Sequence, residues 1–207
     1  RNAITEISNI CLDDNVTFNI KKVSEIMDEA EYSGIRFSMD AVLDGAVIPL
    51  KIDISTGDVI TPREILYSYK LMFEDRTISI MTYPVETVLA EKLETVISRS
   101  VTNTRMRDFY DIHLLLKSQK INSNMLALAV ERTAKKRGSL SFLENTEGVL
   151  QEVKSNAEMK RMWNVYQKKF KYASEYTWDE IMLSVRELSL EAKLDVKKHM
   201  SLYDMDI

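Results

Sequence analysis

The sequence predicts an α+β protein, with a small antiparallel sheet and accompanying helices followed by a C-terminal helical bundle. All three prolines and three of the five glycines lie within the first 84 residues. These residues interrupt helices and favour turns, so the early part reads as strands and turns and the later part as helices. Hydrophobic residues make up 45% and charged residues 29%, as in an ordinary globular protein. We therefore predict two domains, 1–83 and 84–207.

Apolar periodicity predicts the elements of the first domain. Residues 2–12 repeat at helical spacing, and residues 16–20 alternate with polar ones as in a half-buried strand. Two further strands, Tyr32–Leu43 and Ile48–Ile54, flank Asp44-Gly45, a favoured hairpin-turn pair. Near 63–82 we expect a short helix or loop and then one more strand, Thr77–Met81.

Helical spacing dominates the second domain. Pro84 suits the first position of a helix, with Thr82 as a possible cap. An apolar stripe then runs from Val85 to Ile97. Further helices are predicted over about 104–118, 123–137, 145–172 with a break near Ser155, and 177–199.

The composition argues against a disulfide-linked, a zinc-binding or a membrane-spanning protein. The single cysteine, Cys11, cannot form an internal disulfide, and a lone thiol suits a reducing cytoplasm. Cys11, His113 and His199 lie far apart, without the spacing of zinc ligands. No apolar run approaches the ~18 residues that span a bilayer, so we expect no membrane partner. The chain begins at Arg1 directly in a helical pattern, without a secretion leader, and we expect it to be a fragment.

Charge is distributed unevenly along the chain. Residues 1–83 carry 8 Lys or Arg against 14 Asp or Glu, and residues 84–207 carry 20 against 18. An acidic half joined to a mildly basic half fits a metal site that faces a polyanion-binding one. The alternative is ordinary fluctuation of surface charge.

Asp53 is the first candidate for chemistry. It lies on a predicted strand, where Lys51, Asp53 and Ser55 face away from the apolar side chains. A carboxylate held on a strand is a suitable ligand for Mg²⁺. The alternative is that Asp53 is one more charged residue on the solvated face of the strand.

Two helical segments supply the other candidates. Lys92 and Arg99 are separated by two helical turns, so both can project from one face and hold a triphosphate. Asp108 and Asp111 are three residues apart, hence neighbours on a helix surface, and Arg107 can pair with Asp111. Solvated ion pairs and a structural network of charges are the alternatives.

The order of these segments is informative. A strand with Lys-Ile-Asp-Ile-Ser-Thr-Gly-Asp (51–58) precedes Ala-Glu-Lys-Leu-Glu-x4-Arg (90–99) and Arg-Asp-Phe-Tyr-Asp-Ile-His-Leu-Leu (107–115). The set resembles motifs two, three and four of the AbiEii/AbiGii nucleotidyltransferase toxins of abortive-infection systems. The match spans about residues 48–117, and the fold implied for residues 1–83 is a partial nucleotidyltransferase-like one.

This resemblance implies roles for individual residues. Asp53 would be a metal-binding carboxylate of a polymerase-β-like active site, and Lys92 would contact the phosphates of an NTP. Either Asp108 or Asp111 would be catalytically essential, with Asp58 and Arg99 in support. The resemblance further implies Mg²⁺ as cofactor, transfer of a nucleotide to an RNA such as tRNA or to a protein, and a cognate antitoxin. We expect these side chains to converge on one cleft.

The chain also departs from the family pattern. The Asp-x-Asp strand that follows a glycine turn in the family has no counterpart in this sequence. Because a two-metal site needs several carboxylates, Asp53 alone cannot supply it. We therefore expect this chain by itself to be inactive and the full gene product to be active.

Two other functions remain open. The same fold could serve as a non-catalytic module that binds a nucleotide or a protein. Alternatively, Arg107-x5-His113 resembles the Arg-x4–6-His signature of HEPN-type RNases. In a helix, six residues leave the two side chains roughly 120° out of alignment, and a core histidine explains His113 equally well.

Two basic groups could contact RNA phosphates. One is Lys135-Lys136-Arg137; the other is Lys168-Lys169 with Lys171, near Tyr166, Phe170 and Tyr172, whose rings could stack on bases. The alternative is that these rings belong to the core and the lysines are solvated.

Overall fold

The computed structural model describes residues 2–27 and 33–194. Its elements are, in chain order, α1 Asn2–Ser8, β1 Val16–Met27, β2 Ser33–Leu43, β3 Ala46–Ile54, β4 Ile65–Lys70, β5 Thr77–Thr82, α2 Val85–Arg99, α3 Met106–Ser118, α4 Ser123–Lys136, α5 Thr146–Ser155, α6 Ala157–Lys169 and α7 Trp178–Glu191. The predicted α+β class, antiparallel strands followed by helices, is confirmed. The predicted strand start at Tyr32, the helix end at 195–199 and His199 lie outside the described residues.

The first three strands form one antiparallel sheet in the order β1-β2-β3. Asp44 (φ 46°) and Gly45 (φ 85°) form the turn between β2 and β3. Positive φ at both positions defines the mirror-image hairpin turn that Asp-Gly favours, so the predicted hairpin is confirmed. On β2, Phe37 and Met39 are buried, as the alternation predicts.

β1 is longer than the predicted strand. The prediction ended at Ile20 because alternation stops at Lys21-Lys22. The register of β1 against β2 shifts between Ile20 and Lys22, and the pairing then continues to Met27. An extra residue in one strand reverses the alternation beyond it, which concealed the second half of β1.

The expectation of a short helix or loop before β5 was wrong. Residues 65–70 form β4, which pairs antiparallel with β5 from Ile65 opposite Thr82 to Lys70 opposite Thr77. Alternation of Ile65, Tyr67 and Tyr69 with smaller or polar partners was the available signal, since aromatic and β-branched residues favour strands.

Contacts divide the chain into two compact units, Arg1–Asp58 and Val59–Ile207. The β4–β5 hairpin therefore groups with the helices. The predicted domain boundary between residues 83 and 84 falls inside the second unit, at the junction of β5 and α2. A division at that point stays a prediction.

The helix boundaries follow local chemistry. Pro84 occupies the cap position of α2 rather than its first turn, and its carbonyl accepts from the amide of Thr87 at 3.0 Å, so Thr82 is not the cap. The predicted break near Ser155 is confirmed. It lies at Asn156, whose side-chain oxygen accepts from the amides of Glu158 and Met159 and thereby starts α6.

The helices bury one continuous apolar core. Leu89 and Leu93 of α2 and Phe109 and Ile112 of α3 are fully buried, as the predicted stripes require, and Trp163 of α6 joins them. Throughout residues 2–27 and 33–194, helices fall short of the length and apolar character needed to cross a membrane.

Candidate active site

Lys92 holds two carboxylates together in the second unit. Its Nζ donates to Oδ1 of Asp108 at 2.9 Å and to Oδ2 of Asp111 at 2.8 Å. Asp108 lies in the first turn of α3, and Asp111 lies one turn further along the same face. Three of the residues that the sequence singled out therefore form one cluster, which we call the Lys92 cluster.

Packing of the apolar stripes brings the Lys92 cluster together. Leu89 and Leu93 flank Lys92 on the buried side of α2, and Phe109 and Ile112 flank the aspartates on the buried side of α3. These four side chains belong to one core. Helices that pack through their apolar stripes place the residues beside those stripes against each other, here a cation against two acids.

The Lys92 cluster is shielded but reachable from solvent. The side chains of Lys92, Asp108 and Asp111 are 18%, 17% and 23% exposed. Burial alone lowers the pKa of Lys92, but hydrogen bonds to Asp111 and Asp108 outweigh it, and the net pKa is raised. Lys92 is therefore a fixed cation at neutral pH.

Arg107 lies at the outer edge of the Lys92 cluster. Its Nε is 3.7 Å from Oδ2 of Asp111, and its side chain is 78% exposed. The predicted Arg107–Asp111 pair is thus present but long. Two cations then face two carboxylates, a balanced arrangement that can donate and accept hydrogen bonds at one place.

Asp53 has a different partner, in the first unit. Asp53 on β3 lies directly opposite Arg36 on β2. Arg36 donates from Nε to Oδ1 at 2.7 Å and from Nη2 to Oδ2 at 2.6 Å, a bidentate pair. The hydrogen bond from Arg36 is the main reason that the pKa of Asp53 is lowered. Convergence of Asp53 with the Lys92 cluster stays a prediction, because the two lie in separate units.

Within each of the two units, the described residues do not fit a divalent metal site. Both oxygens of Asp53 face a guanidinium. Among residues 2–27 and 33–194, no group of three or more His, Cys, Asp or Glu side chains is placed to hold a metal ion. Since Mg²⁺ in proteins needs oxygen ligands close together, the described residues alone do not form its site.

Arg99 and Asp58 are the two residues with predicted supporting roles. Arg99 is the last residue of α2 and is partly buried. Asp58 ends the first unit, four residues after β3, and is also partly buried. Both make contacts of their own. Their supporting roles stay predictions.

His113 belongs to the core. Its ring is 2% exposed, Nδ1 lies 2.8 Å from Oγ of Ser184 on α7, and the ring meets Tyr176 edge-on. Burial, reinforced by the charge of Lys117, lowers its pKa, so the ring is neutral near pH 7. An RNase of the HEPN type needs this histidine at an accessible surface together with Arg107, and the buried ring argues against that function.

His113 makes stability depend on pH. Because its folded-state pKa is below the ordinary value near 6.5, the unfolded chain binds the proton first as pH falls. Stability should therefore drop as pH falls through about 6.5 towards the folded-state pKa. We therefore measure the free energy of unfolding by urea titration at pH 7.5 and at pH 5.5. This free energy should fall less between the two pH values in His113→Gln than in the native chain. Equal losses in the two proteins would contradict this reading.

Sequence reasoning missed one buried ion pair. Glu94 of α2 has a side chain only 4% exposed, and it accepts from Nη1 of Arg137 at 2.5 Å and from Oγ of Ser139 at 2.7 Å. The position of Glu94 among Leu93, Thr95 and Val96 was the available signal, since an acid inside a buried run needs a partner. Arg137 belongs to a basic group that could contact RNA phosphates or be solvated, and the structure pairs it with this carboxylate instead.

Tyr166, Phe170 and Tyr172, the rings that could stack on bases, form a cluster at the surface. The hydroxyls of Tyr166 and Tyr172 lie 3.0 Å apart, and the rings of Phe170 and Tyr172 stack with centroids 5.5 Å apart. Tyr110 of α3 meets Tyr172 at 4.9 Å between centroids. These rings therefore pack on one another while Tyr172 remains half exposed.

Comparison with known families identifies the family to which this chain belongs. A family model described as nucleotidyl transferase AbiEii toxin, type IV TA system, matches residues 1–184, which include Asp53 and the whole Lys92 cluster. Searches of curated proteins and of solved structures find no match. Since the family model covers most of the chain, the protein belongs to the AbiEii nucleotidyl transferase toxin family of type IV toxin–antitoxin systems.

Proposed function

We propose that this protein transfers a nucleotidyl group from an NTP to a hydroxyl of an RNA, such as tRNA, and that the Lys92 cluster serves the transfer. One observation carries the proposal: a lysine on α2 fixes two aspartates of α3 at hydrogen-bond distance, on an accessible edge of the core. Family membership supports nucleotidyl transfer as the reaction class.

The reaction assigns each group a task. The acceptor hydroxyl oxygen attacks the α-phosphorus of the NTP and forms a new P–O bond. The bond from the α-phosphorus to the oxygen that bridges to the β-phosphorus breaks, and pyrophosphate leaves. The hydroxyl proton passes to a carboxylate of Asp108 or Asp111. A positioned base of this kind accelerates such a transfer by typically 10²–10⁴-fold.

Lys92 has a double role in this proposal. An ammonium group has three N–H donors. Two of them go to Asp108 and Asp111 and hold the acids in place. The third donates to a phosphate oxygen of the NTP, where a fixed cation stabilises charge that develops during phosphoryl transfer.

Mg²⁺, a cognate antitoxin and the compartment complete the proposal. We propose Mg²⁺ as the cofactor, although the described residues do not form a site for it and no step above passes through the ion. A toxin of this family implies a cognate antitoxin. We place the reaction in the cytoplasm, where NTPs and tRNA are available.

Transfer should depend on at least one of the two aspartates. With the product of the complete gene, α-³²P-labelled NTPs, Mg²⁺ and total RNA, we expect labelled RNA. Asp108→Asn or Asp111→Asn should slow labelling by about 100-fold or more, because an amide cannot take the hydroxyl proton. Comparing the two variants identifies the essential acid.

Glu147→Gln is the matched control. Glu147 on α5 forms an exposed ion pair with Arg186 at 3.1 Å and is not part of the Lys92 cluster. This variant should label RNA at the native rate. If both aspartate variants also label RNA at the native rate, the assignment fails. If the native protein binds NTP but transfers nothing, the protein is the non-catalytic module instead.

A further inference from the structure

The N-terminal end of α3, together with α6 and the residues that follow it, lines an open pocket of about 590 Å³. Asp108 of the Lys92 cluster forms part of its wall, whereas Lys92 and Asp111 do not line it. The pocket therefore opens on the Asp108 side of the cluster. Its apolar lining includes Met106, Met162 and Val165.

Three aromatic side chains form one wall of the pocket: Tyr166, Phe170 and Tyr172. The ring planes of Phe170 and Tyr172 are 29° apart, and the hydroxyls of Tyr166 and Tyr172 are in contact. Burial and this contact raise the pKa of Tyr166, which keeps its hydroxyl protonated. Because Tyr172 is half exposed, its ring offers a preformed surface for a flat ligand.

Cations outnumber acids around the pocket. Asp108 is the single carboxylate in its lining. Four cationic side chains also line it: Arg105, Arg107, Arg161 and Lys169. Arg161 is engaged by Glu158, at 2.6 and 2.7 Å. Arg107 is largely exposed, and Nζ of Lys169 lies 5.4 Å from the centre of the Phe170 ring. Arg107 and Lys169 are thus placed to meet an anion beside the aromatic wall.

We propose that this pocket binds one nucleotide of a single-stranded RNA acceptor, with its base stacked against Tyr172 and its phosphate contacted by Arg107 and Lys169. Stacking on aromatic rings and contact with cations are the two interactions by which proteins hold single-stranded nucleic acid. The inference rests on the proposed transfer. It explains how a ribose hydroxyl would reach Asp108, while the NTP lies on the Lys92 side.

Fluorescence anisotropy with a labelled single-stranded oligoribonucleotide tests the pocket directly. Tyr172→Ala should weaken binding by about tenfold, because stacking on one ring is lost. Tyr172→Phe keeps the ring and should bind like the native protein. Tyr67→Ala is the matched control, an exposed tyrosine on β4, and should also bind normally.

The contributions of Arg107 and Lys169 can be tested through the salt dependence of oligonucleotide binding. Arg107→Gln and Lys169→Gln should each weaken binding and reduce the salt dependence of the dissociation constant, since each removes one phosphate contact. Lys160→Gln, on α6 but not lining the pocket, should change neither. Circular dichroism of every variant shows whether its helices remain folded.

Binding of the NTP alone separates this inference from the proposed transfer. Tyr172→Ala should leave NTP binding unchanged while it weakens oligonucleotide binding. If Tyr172→Ala weakens NTP binding instead, the pocket holds the donor and the inference is overturned. The inference is also overturned if the native protein does not bind the single-stranded oligonucleotide or binds the duplex form of that oligonucleotide more tightly. If Tyr172-dependent binding is found without transfer, the pocket stands and the proposed function fails.

Discussion

Replacing Arg137 with methionine should lower the free energy of unfolding by about 3–5 kcal/mol, the usual cost of leaving one buried charge without its partner. Glu94 is 4% exposed, and Arg137 is its only cationic partner among the described contacts. Ser139 would remain as a single neutral donor. Urea unfolding followed by circular dichroism at pH 7 measures the change.

Two variants make the Arg137 result interpretable. Arg186→Met removes a cation from an exposed pair with Glu147 and should cost less than about 1 kcal/mol. The double variant Glu94→Met with Arg137→Met should be more stable than Arg137→Met alone, because it leaves no charge behind. The buried-pair interpretation fails if Arg137→Met and Arg186→Met cost the same.

Replacing Lys92 with methionine should both destabilise the helices and abolish transfer. Asp108 and Asp111 both lie within 2.9 Å of one nitrogen, so its removal leaves two carboxylates facing each other without a cation between them. We expect a loss of about 2 kcal/mol in unfolding free energy and a fall in RNA labelling of about 100-fold or more.

The pH dependence of Lys92→Met identifies the cause of its instability. In the native chain the raised pKa of Lys92 means that its stabilising contribution is present at neutral pH and is lost as pH rises through that alkaline pKa. In the variant that alkaline loss should be absent, because the ammonium group is gone, so the stability deficit measured at neutral pH should shrink in alkali. Lys154→Met, from an exposed pair with Asp179, should show neither effect.

Local signals predicted much of the fold. The apolar stripe of α2 and the Asp44-Gly45 turn depend only on nearby residues, and both are present. The missed features depend on partners remote in sequence. β4 is defined by pairing with β5, and the register shift in β1 is defined by β2. Pairing of this kind is not encoded in one segment alone.

The same distinction explains the site. Asp108 and Asp111 share a face because of their spacing, and Lys92 meets them because two apolar stripes pack. The bidentate contact of Arg36 with Asp53 needed the β2–β3 register, and the contact of Arg137 with Glu94 needed the packing of the loop after α4 against α2. Family resemblance identifies the motifs, whereas their ionic partners are set by the three-dimensional packing of elements remote in sequence.

A double-mutant cycle on transfer rates tests the central claim most directly. With the product of the complete gene, single-turnover labelling of RNA is measured for native protein, Lys92→Met, Asp111→Asn and the double variant, and again with Asp108 in place of Asp111. If the Lys92 cluster acts as a unit, the double variant that includes the essential acid should be no slower than its slower single variant. Native rates in all the single variants, or losses that multiply in both cycles, would contradict the claim.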